Sequence, residues 1–222
     1  MRVLKVGGAA ASPAAHVVSM LEAGMSVVVV HGGGPQISAG CRAAGIEPRF
    51  VAGQRVTDAA VLGVVERTLG EQNTRLVADL RQAGVQAAGV VGALVAAPDS
   101  DPRLGLVGSV SSVDLAPLRE LLADGCVPVV NPFAGLNVNA DHAAAAVAVA
   151  LGADELAFLS DVPGVLDAGG GVIARITVSE VPRLVAGGTV AGGMLPKLAA
   201  GSHALAGGVS RVWVGSHTQV TA

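Results

Sequence analysis

The sequence predicts an α/β protein of three layers, in which helices cover both faces of an open, mainly parallel β-sheet. Short runs rich in valine alternate with longer segments of helical periodicity, a pattern typical of strands joined by crossover helices. The run Val27–Val30 is apolar throughout, as expected of a strand covered on both faces. Glycine follows most of the predicted helices, where a left-handed residue commonly ends a helix. These glycines are Gly24, Gly45, Gly84, Gly125, Gly152, Gly187 and Gly207.

The predicted elements follow one another along 222 residues, which suffice for one core with two lobes. The strands are Val3–Val6, Ser26–His31, Gln86–Val91, Val127–Asn131, Leu156–Asp161 and Arg211–Val214. The helices are Pro13–Ala23, Gln36–Ala44, Ala59–Ala83, Leu115–Ala123, Asp141–Leu151, Val178–Ala186 and Pro196–Ala206. Residues 96–113 predict a hairpin or a loop excursion, and Asp167–Ile176 predicts a second hairpin. No low-complexity linker divides the chain, so any two lobes must share one sheet.

Composition and charge exclude several classes of function. The net charge is −3, aromatic residues make up 2%, and no basic block is present, so we expect no binding to nucleic acids. No uninterrupted apolar run approaches the roughly 20 residues of a membrane-spanning helix. Cys41 and Cys126 lack the spacing of a zinc site, and no long apolar leader follows Met1. We therefore expect free thiols, no membrane association and a cytoplasmic location.

Two of the predicted strands end in glycine-rich loops. Lys5 is followed by Gly7 and Gly8, and the second strand runs into three glycines, Gly32–Gly34, before a helix. Open α/β sheets bind ligands at the carboxyl edge of the strands. Glycines allow the backbone to approach an anion closely, and the start of a helix adds partial positive charge. The alternative is a pair of tight turns without a ligand, with Lys5 extended along the surface.

Two further segments concentrate polar side chains in a chain that is otherwise rich in alanine and valine. The Arg55 guanidinium can form a bidentate contact with a carboxylate of a ligand. The alternative is that Arg55 pairs with an acidic side chain at the surface. Either Thr57 or Asp58 is expected to cap the long helix that follows. Asn137 and Asp141 lie at the start of another predicted helix, where Asp141 is either a functional acid or only an N-cap.

The last third of the chain contributes two more segments. A predicted strand ends in a turn that contains Asp161, Val162, Gly164 and Leu166. This turn either faces a nucleotide or is a simple strand–turn junction. Gly193 and Met194 precede Lys197, which lies in the first turn of a predicted helix. A cation at that position opposes the helix dipole, so we expect an anion close to Lys197.

Together and in this order, these segments resemble the amino acid kinase family. Within it, the stretches HGGGP, GQRVT, NVNAD and GGMLPK are most similar to the N-acetylglutamate kinases. The resemblance, which runs from the first residue to about Val214, implies a three-layer αβα sandwich of the carbamate kinase-like type. It implies ATP with Mg²⁺ as cofactor and phosphorylation of the side-chain carboxylate of N-acetyl-L-glutamate, in arginine biosynthesis. It further implies an acceptor-binding and dimerising lobe at residues 1–153 and a nucleotide lobe at residues 154–222.

The resemblance also assigns roles to individual residues. Lys5 and Lys197 would be catalytic, with Asp141 organising the two lysines. The acetylamino acid would be bound by Gly33, Gly34, Arg55 and Asn137. The nucleotide would be bound by Gly7, Gly8, Asp161, Val162, Gly164, Leu166, Gly193 and Met194. No residue of the chain is assigned to a metal.

The expected chemistry is simple, because a carboxylate with a reference pKa near 4.3 is already ionised at neutral pH. Such a nucleophile requires no general base. The difficulty is the approach of two anions, so catalysis should depend on positioning and on charge neutralisation. Lys5, Lys197, Mg²⁺ and the N–H groups of the glycine loops would provide that neutralisation.

Three features depart from the family pattern. Gly89–Leu94 lacks the acid of a GLSGxDG-like segment, Gly70–Thr74 has the asparagine but not the lysine of a Gly-x-x-Asn-Lys stretch, and the substrate hairpin is abbreviated to Val95–Arg103. The chain begins directly at the first strand, without the extra helix of arginine-inhibited members. We therefore expect no inhibition by arginine, and a homodimer rather than a hexamer.

Two alternative functions stay open at this point. The first is a kinase for carrier-protein-linked aminoadipate or glutamate in lysine biosynthesis. The HGGGP and NVNAD stretches and the lack of a basic surface patch argue against it. The second is a non-catalytic sensor of amino acids or nucleotides with the same fold. The presence of both Lys5 and Lys197 argues against a sensor.

Overall fold

A computed structural model of the chain describes residues 1–7, 13–51 and 53–222. Its strands are Arg2–Val6 (β1), Val27–His31 (β2), Phe50–Val51 (β3), Gln54–Arg55 (β4), Ala87–Val90 (β5), Leu94–Pro98 (β6), Val107–Val113 (β7), Val127–Val130 (β8), Asn137–Val138 (β9), Glu155–Leu159 (β10), Arg175–Thr177 (β11), Arg211–Val214 (β12) and Thr218–Thr221 (β13). Its helices are Pro13–Glu22 (α1), Gly34–Ala43 (α2), Ala59–Gln82 (α3), Ala116–Ala123 (α4), Ala140–Leu151 (α5), Val181–Ala186 (α6) and Met194–Ala206 (α7). None of the helices in these ranges is long and apolar enough to cross a membrane.

The main sheet of the described residues has eight strands in the order β11-β13-β12-β10-β1-β2-β8-β5. Neighbouring strands are parallel, except that β13 runs antiparallel to β12. The first strand lies in the middle of the sheet, between β10 and β2. The carboxyl ends of β10, β1 and β2 therefore meet at one edge, and their following loops lie side by side.

Helices cover both faces of this sheet, because its central strands carry apolar side chains on both faces. Val28 and Val30 of β2 pack in one cluster with the alanines of α5 and with residues of α7. Val27 and Val29 of the same strand pack in a second cluster with residues of α1 and α3. The all-valine run thus fills two separate cores, as a strand covered on both faces should.

Two small sheets extend from the main sheet near the edge where its strands end. The hairpin β6–β7 pairs with the short strand β9, and β3 pairs with β4. The backbone of Thr57 joins the hairpin to the segment after β4, since its N–H donates to Leu104 O and its carbonyl accepts from Leu106 N. Thr57 is fully buried. These bonds hold the hairpin against the segment that carries Arg55.

The structure confirms the α/β class, and most predicted strands and helices lie within two residues of their expected ends. The hairpin predicted within residues 96–113 is present as β6–β7. The second hairpin, predicted at Asp167–Ile176, is present only in a minimal form, with backbone bonds from Asp167 N to Gly171 O and from Ile173 N to Val165 O. The Asp167 carboxylate accepts hydrogen bonds from Gly169 N and Gly171 N, and this tight turn supports only a single bridge, between Leu166 and Val172.

Three further differences concern helix ends. The predicted helix Val178–Ala186 begins as a 3-10 turn, and α6 starts only at Val181 because Pro182 lacks the N–H that a continuous helix needs. Gly187 and Gly207 are not left-handed, with φ of −80° and −82°. The next residue in each case, Gly188 or Gly208, adopts the positive φ instead.

Candidate active site

A cleft of about 390 Å³ opens where the central strands of the sheet end. Its walls come from the loop after β1, the glycine loop after β2, the end of β10, and the starts of α5 and α7. The small sheet β6-β7-β9 and the segment around Arg55 close the remaining side. The cleft thus lies at the carboxyl edge of parallel strands, where open α/β sheets bind ligands.

Two lysines and one aspartate form the polar centre of the cleft. The Lys5 Nζ lies 2.8 Å from Asp141 Oδ1, and the Lys197 Nζ lies 3.4 Å from Asp141 Oδ2. All three side chains are largely buried, with exposed fractions of 8%, 7% and 15% for Lys5, Asp141 and Lys197. One carboxylate therefore bridges two ammonium groups that come from opposite ends of the chain.

Asp141 is available for this task because a neighbouring side chain caps its helix. The Asn139 Oδ1 accepts hydrogen bonds from the N–H groups of Asp141 and His142, so Asn139 is the N-cap of α5. The interpretation of Asp141 as only an N-cap is therefore wrong. At the long helix α3, Asp58 rather than Thr57 is the cap, since its carboxylate accepts from Val61 N.

Lys197 lies in the first turn of α7, as the sequence predicted. Its ammonium contacts Gly193 O at 3.3 Å in addition to Asp141. The expected anion near this cation is thus the Asp141 carboxylate. Lys5 and Lys197 are also the only two lysines among 222 residues, in which every other basic side chain apart from histidine is arginine. The small number of lysines is thus a further signal in the sequence for this site, independent of the motifs.

Burial and the neighbouring charges act on Lys5 in opposite directions. Burial lowers the pKa of the Lys5 ammonium, the Asp141 carboxylate raises it, and the Lys197 ammonium lowers it further. The ion pair with Asp141 is thus what favours the charged form of a lysine that is 6% exposed. Removal of Asp141 would leave two cations near each other without a counter-charge.

The glycine loop after β2 brings backbone N–H groups to the same cleft. Gly32, Gly33 and Gly34 all line the cleft, and α2 begins at Gly34. The Gly32 N–H donates to Val6 O at 2.9 Å, which fixes the loop against β1. Within the described ranges, no protein acceptor takes the Gly33 N–H. A backbone donor and the start of a helix are thus left for an anionic group.

Arg55 reaches the cleft from β4 and is partly engaged by the protein itself. Its Nη2 donates to Gly34 O at 3.0 Å and to Ser38 Oγ at 2.8 Å, and its guanidinium lies 4.9 Å from the centre of the Phe50 ring. Its Nη1 is buried and has no partner among the described residues. Burial lowers the pKa of this guanidinium. The free Nη1 is a donor that an anionic ligand in the cleft would satisfy.

Asn137 lines the same cleft as Arg55, and Thr57 orients its side chain. Its Nδ2 donates to Thr57 Oγ1 at 2.8 Å, and that hydroxyl donates to Arg55 O at 2.9 Å. The Asn137 backbone N–H also donates to Leu106 O. The amide is therefore held by its nitrogen end, which leaves Oδ1 without a hydrogen bond from the part of the chain described here.

Most residues predicted from the sequence come together in this cleft. Those that line it are Lys5, Gly7, Gly33, Gly34, Arg55, Asn137, Asp141, Asp161, Gly193 and Lys197. Those outside its lining are Val162, Gly164, Leu166 and Met194. Gly8 lies outside the described residues. A methyl group at Gly164 would meet Thr218 Oγ1 at 2.3 Å, so close packing is one reason for glycine there.

The apolar part of the lining was not predicted. It consists of Ile37, Phe50, Leu69, Val107, Pro132, Val138 and Leu159. These side chains come from separate helices, strands and loops, and in the sequence each looks like an ordinary core or surface residue. Only the folded chain brings them next to the lysines.

The described residues contain no group of three or more histidine, cysteine, aspartate or glutamate side chains arranged to hold a metal ion. Both oxygens of Asp141 already face ammonium groups. A divalent cation would instead fit as part of a metal–nucleotide complex, since Mg²⁺ commonly binds through phosphates and one or two carboxylates. Asp161 is an exposed carboxylate on the rim of the cleft.

Known proteins resemble this chain over most of its length. The sequence pattern of the amino acid kinase family matches residues 1–216. An acetylglutamate kinase from Geobacillus kaustophilus (strain HTA426) is 44% identical over 209 residues, which cover 87% of this chain and 81% of that protein. The crystal structure of smu.665 from Streptococcus mutans UA159 matches with a TM-score of 0.91 at 29% identity, covering 99% of this chain and 98% of that one.

A more distant structure supports the fold alone. Carbamate kinase from Giardia lamblia bound to AMP-PNP matches with a TM-score of 0.76 at 15% identity, covering 99% of this chain and 97% of that one. The three-layer sandwich of the carbamate kinase-like type, predicted from the sequence, is thereby confirmed. With a family pattern that spans nearly all of its length, the chain belongs to the amino acid kinase family.

Proposed function

We propose that this protein transfers the γ-phosphoryl group of ATP to the side-chain carboxylate of N-acetyl-L-glutamate, as a step of arginine biosynthesis. The observation that carries the proposal is the bridge between Lys5, Asp141 and Lys197 in a cleft that Arg55 also lines. Three cations in one cleft suit an acceptor with two carboxylates. The relative from Geobacillus kaustophilus is itself an acetylglutamate kinase.

The reaction joins a carboxylate oxygen of the acceptor to the γ-phosphorus while the bond from that phosphorus to the β–γ bridging oxygen breaks. The products are the acyl phosphate and ADP. No proton has to be removed, because the nucleophile is already ionised. The task of the protein is to hold two anions in line and to neutralise the charge that spreads over the phosphoryl oxygens.

The two lysines perform the neutralisation in this proposal. Lys5 acts on the phosphoryl group in transfer, and Lys197, at the start of α7, acts from the nucleotide side. Asp141 contacts both ammonium groups and thereby sets their separation. Loss of one such contact typically slows a reaction by about 10²–10³, equivalent to about 3–4 kcal/mol of barrier.

The acceptor lies between the glycine loop after β2 and the residues Arg55 and Asn137. The free Nη1 of Arg55 donates to the α-carboxylate, and Asn137 Oδ1 accepts from the amide N–H of the acetylamino group. Gly33 and Gly34 provide backbone donors, and Leu69 belongs to the apolar wall beside them. The methyl group of an acetyl substituent matches such a wall, whereas a free ammonium group would not.

The nucleotide contacts are proposed for the remaining predicted residues. These are Gly7, Gly8, Asp161, Val162, Gly164, Leu166, Gly193 and Met194. The nucleotide would bring Mg²⁺, which adds positive charge at the β- and γ-phosphates, and we propose that Asp161 contacts this ion. This division assigns the acceptor to residues 1–153 and the nucleotide to residues 154–222.

The assembly and cellular location also remain proposals. We propose a homodimer formed through residues 1–153, a cytoplasmic location and no inhibition by arginine. The edge strand β5 and the exposed Val91, which follows it, belong to this lobe and offer an apolar surface for a second copy. Sedimentation of the purified protein, with and without arginine, measures the assembly directly.

An ATP-dependent hydroxamate assay tests the function with a panel of acceptors. Hydroxylamine traps an acyl phosphate, so the assay reports the bond that forms. We expect product with N-acetyl-L-glutamate and little with free glutamate, whose α-ammonium would face the apolar wall. Product only with a carrier-linked glutamate or aminoadipate would transfer the proposal to that alternative. Nucleotide binding without product from any acceptor would indicate a sensor.

A further inference from the structure

A buried polar pair links the middle of α3 to the glycine loop. Asn73 is 7% exposed and His31 is 2% exposed, although both carry polar side chains among apolar neighbours. The Asn73 Nδ2 lies 3.2 Å from His31 Nε2 and 2.9 Å from Val129 O. The His31 Nδ1 lies 3.2 Å from Gly32 O. Hydrogen bonds thus connect α3, through the Asn73 amide and the His31 ring, to the backbone of the glycine loop at Gly32.

The partners determine where each proton lies. A carbonyl such as Val129 O can only accept, so the Asn73 atom that faces it is the NH₂ nitrogen. The second N–H of that nitrogen then points to His31 Nε2, which must be the unprotonated acceptor. The ring proton is therefore on Nδ1, where it donates to Gly32 O. Burial, together with the nearby Lys5 ammonium, lowers the pKa of His31 to about 4 although the hydrogen bond to Gly32 O raises it, so the ring is neutral at neutral pH.

The sheet leaves room for this arrangement at one glycine. A methyl group on Gly89, in β5, would lie 2.2 Å from Asn73 Oδ1. The amide of Asn73 therefore packs directly on the bare backbone of the strand, with its oxygen toward Gly89 and its nitrogen toward His31. Contacts with Gly89 on one side and with His31 on the other thus fix the position of the Asn73 amide.

The geometry of the peptide between Gly32 and Gly33 determines where the Gly33 N–H points. The carbonyl of Gly32 and the N–H of Gly33 belong to the same planar trans peptide, so they point in opposite directions. His31 holds the carbonyl from outside the cleft lining, while Gly33 lies in that lining. The Gly33 N–H, which no described protein group accepts, is thereby directed toward the cleft.

We propose that Asn73 is a positioning residue for phosphoryl transfer, which acts through His31 to orient the Gly32–Gly33 peptide and its donor toward the reacting anion. This role rests on the proposed function, because it needs an anionic acceptor in the cleft. It also explains why α3 carries a buried amide at a position where an apolar side chain would pack with less difficulty. Neither Asn73 nor His31 touches the reactants.

The kinetic test compares Asn73→Ala with Leu80→Ala, a matched variant about two turns further along the same helix that removes a fully buried side chain. The removal of one donor typically slows a reaction by about 10²–10³, and a misdirected donor should lose part of that, so we expect about a tenfold lower kcat for Asn73→Ala. The KM for ATP should be unchanged. Leu80→Ala should lower the melting temperature but keep the wild-type kcat per folded molecule.

A second measurement stays valid even if Asn73→Ala folds poorly. In Asn73→Asp, a carboxylate would face His31 Nε2 and favour the imidazolium, so NMR titration should find the His31 pKa raised well above the wild-type value of about 4. An unchanged His31 pKa would show that the two side chains are not in contact, and would overturn the proposal.

The outcomes also separate this proposal from the function on which it rests. A wild-type protein that makes no acyl phosphate from N-acetyl-L-glutamate refutes the proposed function and, with it, the kinetic role of Asn73. An active wild-type protein together with an unaffected kcat in Asn73→Ala refutes the positioning role alone. A kcat reduced equally in Asn73→Ala and Leu80→Ala would assign Asn73 a purely structural role and would equally overturn the proposal.

Discussion

Replacement of Asp141 by asparagine is the perturbation that the site geometry predicts most sharply. The variant keeps the shape of the side chain but removes the one negative charge that faces both lysines. Lys5, which is 6% exposed, then loses the group that raises its pKa, while burial and Lys197 continue to lower it. Its ammonium should therefore lose its proton at a lower pH than in the wild type.

The separations in the bridge allow an estimate of the size of the effect. At an effective dielectric constant of 20, charges 2.8 and 3.4 Å apart attract each other by about 6 and about 5 kcal/mol. Dehydration of the three groups offsets much of this attraction. When one partner of a buried ion pair is removed, proteins typically lose about 3–5 kcal/mol of stability. We expect Asp141→Asn to fall in that range, and its kcat to fall by about 10²–10³ because neither lysine is held in place.

The assay combines turnover with unfolding. Hydroxamate formation gives kcat as a function of pH, and urea unfolding is followed through Trp213, the only tryptophan of the chain. Asp124→Asn removes an exposed carboxylate at the end of α4 and is the matched control, with wild-type values expected for both quantities. In Asp141→Asn, kcat should also decline with rising pH over a range where the wild type is constant. A kcat within threefold of the wild type would refute the proposed role of Asp141.

Two further predictions concern the acceptor and the pH dependence of stability. Arg55→Lys keeps the charge but has one nitrogen in place of two, so it cannot bond Gly34 O and Ser38 and also donate to the acceptor; steady-state kinetics should show a KM for N-acetyl-L-glutamate raised about 10- to 100-fold with the KM for ATP unchanged. An equal change in both KM values would contradict it. For His31, the folded pKa of about 4 lies below the ordinary 6.5, so the unfolded chain gains a proton first as the pH falls. Between pH 6.5 and 4, urea unfolding should therefore show a loss of about 3 kcal/mol that a His31→Gln variant lacks. Parallel curves for the two proteins would contradict it.

The main sheet could be predicted because its central strands are unambiguous in the sequence. The run Val27–Val30 is short, β-branched and apolar throughout, and such a segment fits poorly anywhere but between two layers of helices. The missed strands are different in kind. Arg175–Thr177 is held by a partner more than 40 residues further along, Thr218–Thr221, and neither segment is distinctive by itself. Of the two-residue strands, β9 forms because it pairs with the distant β7, whereas β3 and β4 pair with each other and are too short to stand out in the sequence.

The charged centre of the site was predictable, but the way it is held together was not. Lys5 and Lys197 precede or follow glycines at strand and helix ends, which is a local signal. Whether Asp141 is free or serves as a cap depends on the backbone dihedrals of Asn139, which the sequence does not specify. Likewise, Asn73 is one polar residue in a long helix, and only the register of α3 against the sheet places it beside His31.

The central claim is that two lysines neutralise the transfer of a phosphoryl group to a carboxylate that needs no base. The most direct measurement is the rate of acyl phosphate formation from ATP and N-acetyl-L-glutamate by Lys5→Met and Lys197→Met, with Trp213 fluorescence to establish that each variant is folded. Because the chain has only two lysines, each variant keeps a single ammonium side chain in the cleft. We predict that each variant loses about 10²–10³ in kcat. Wild-type turnover by either folded variant would contradict the account.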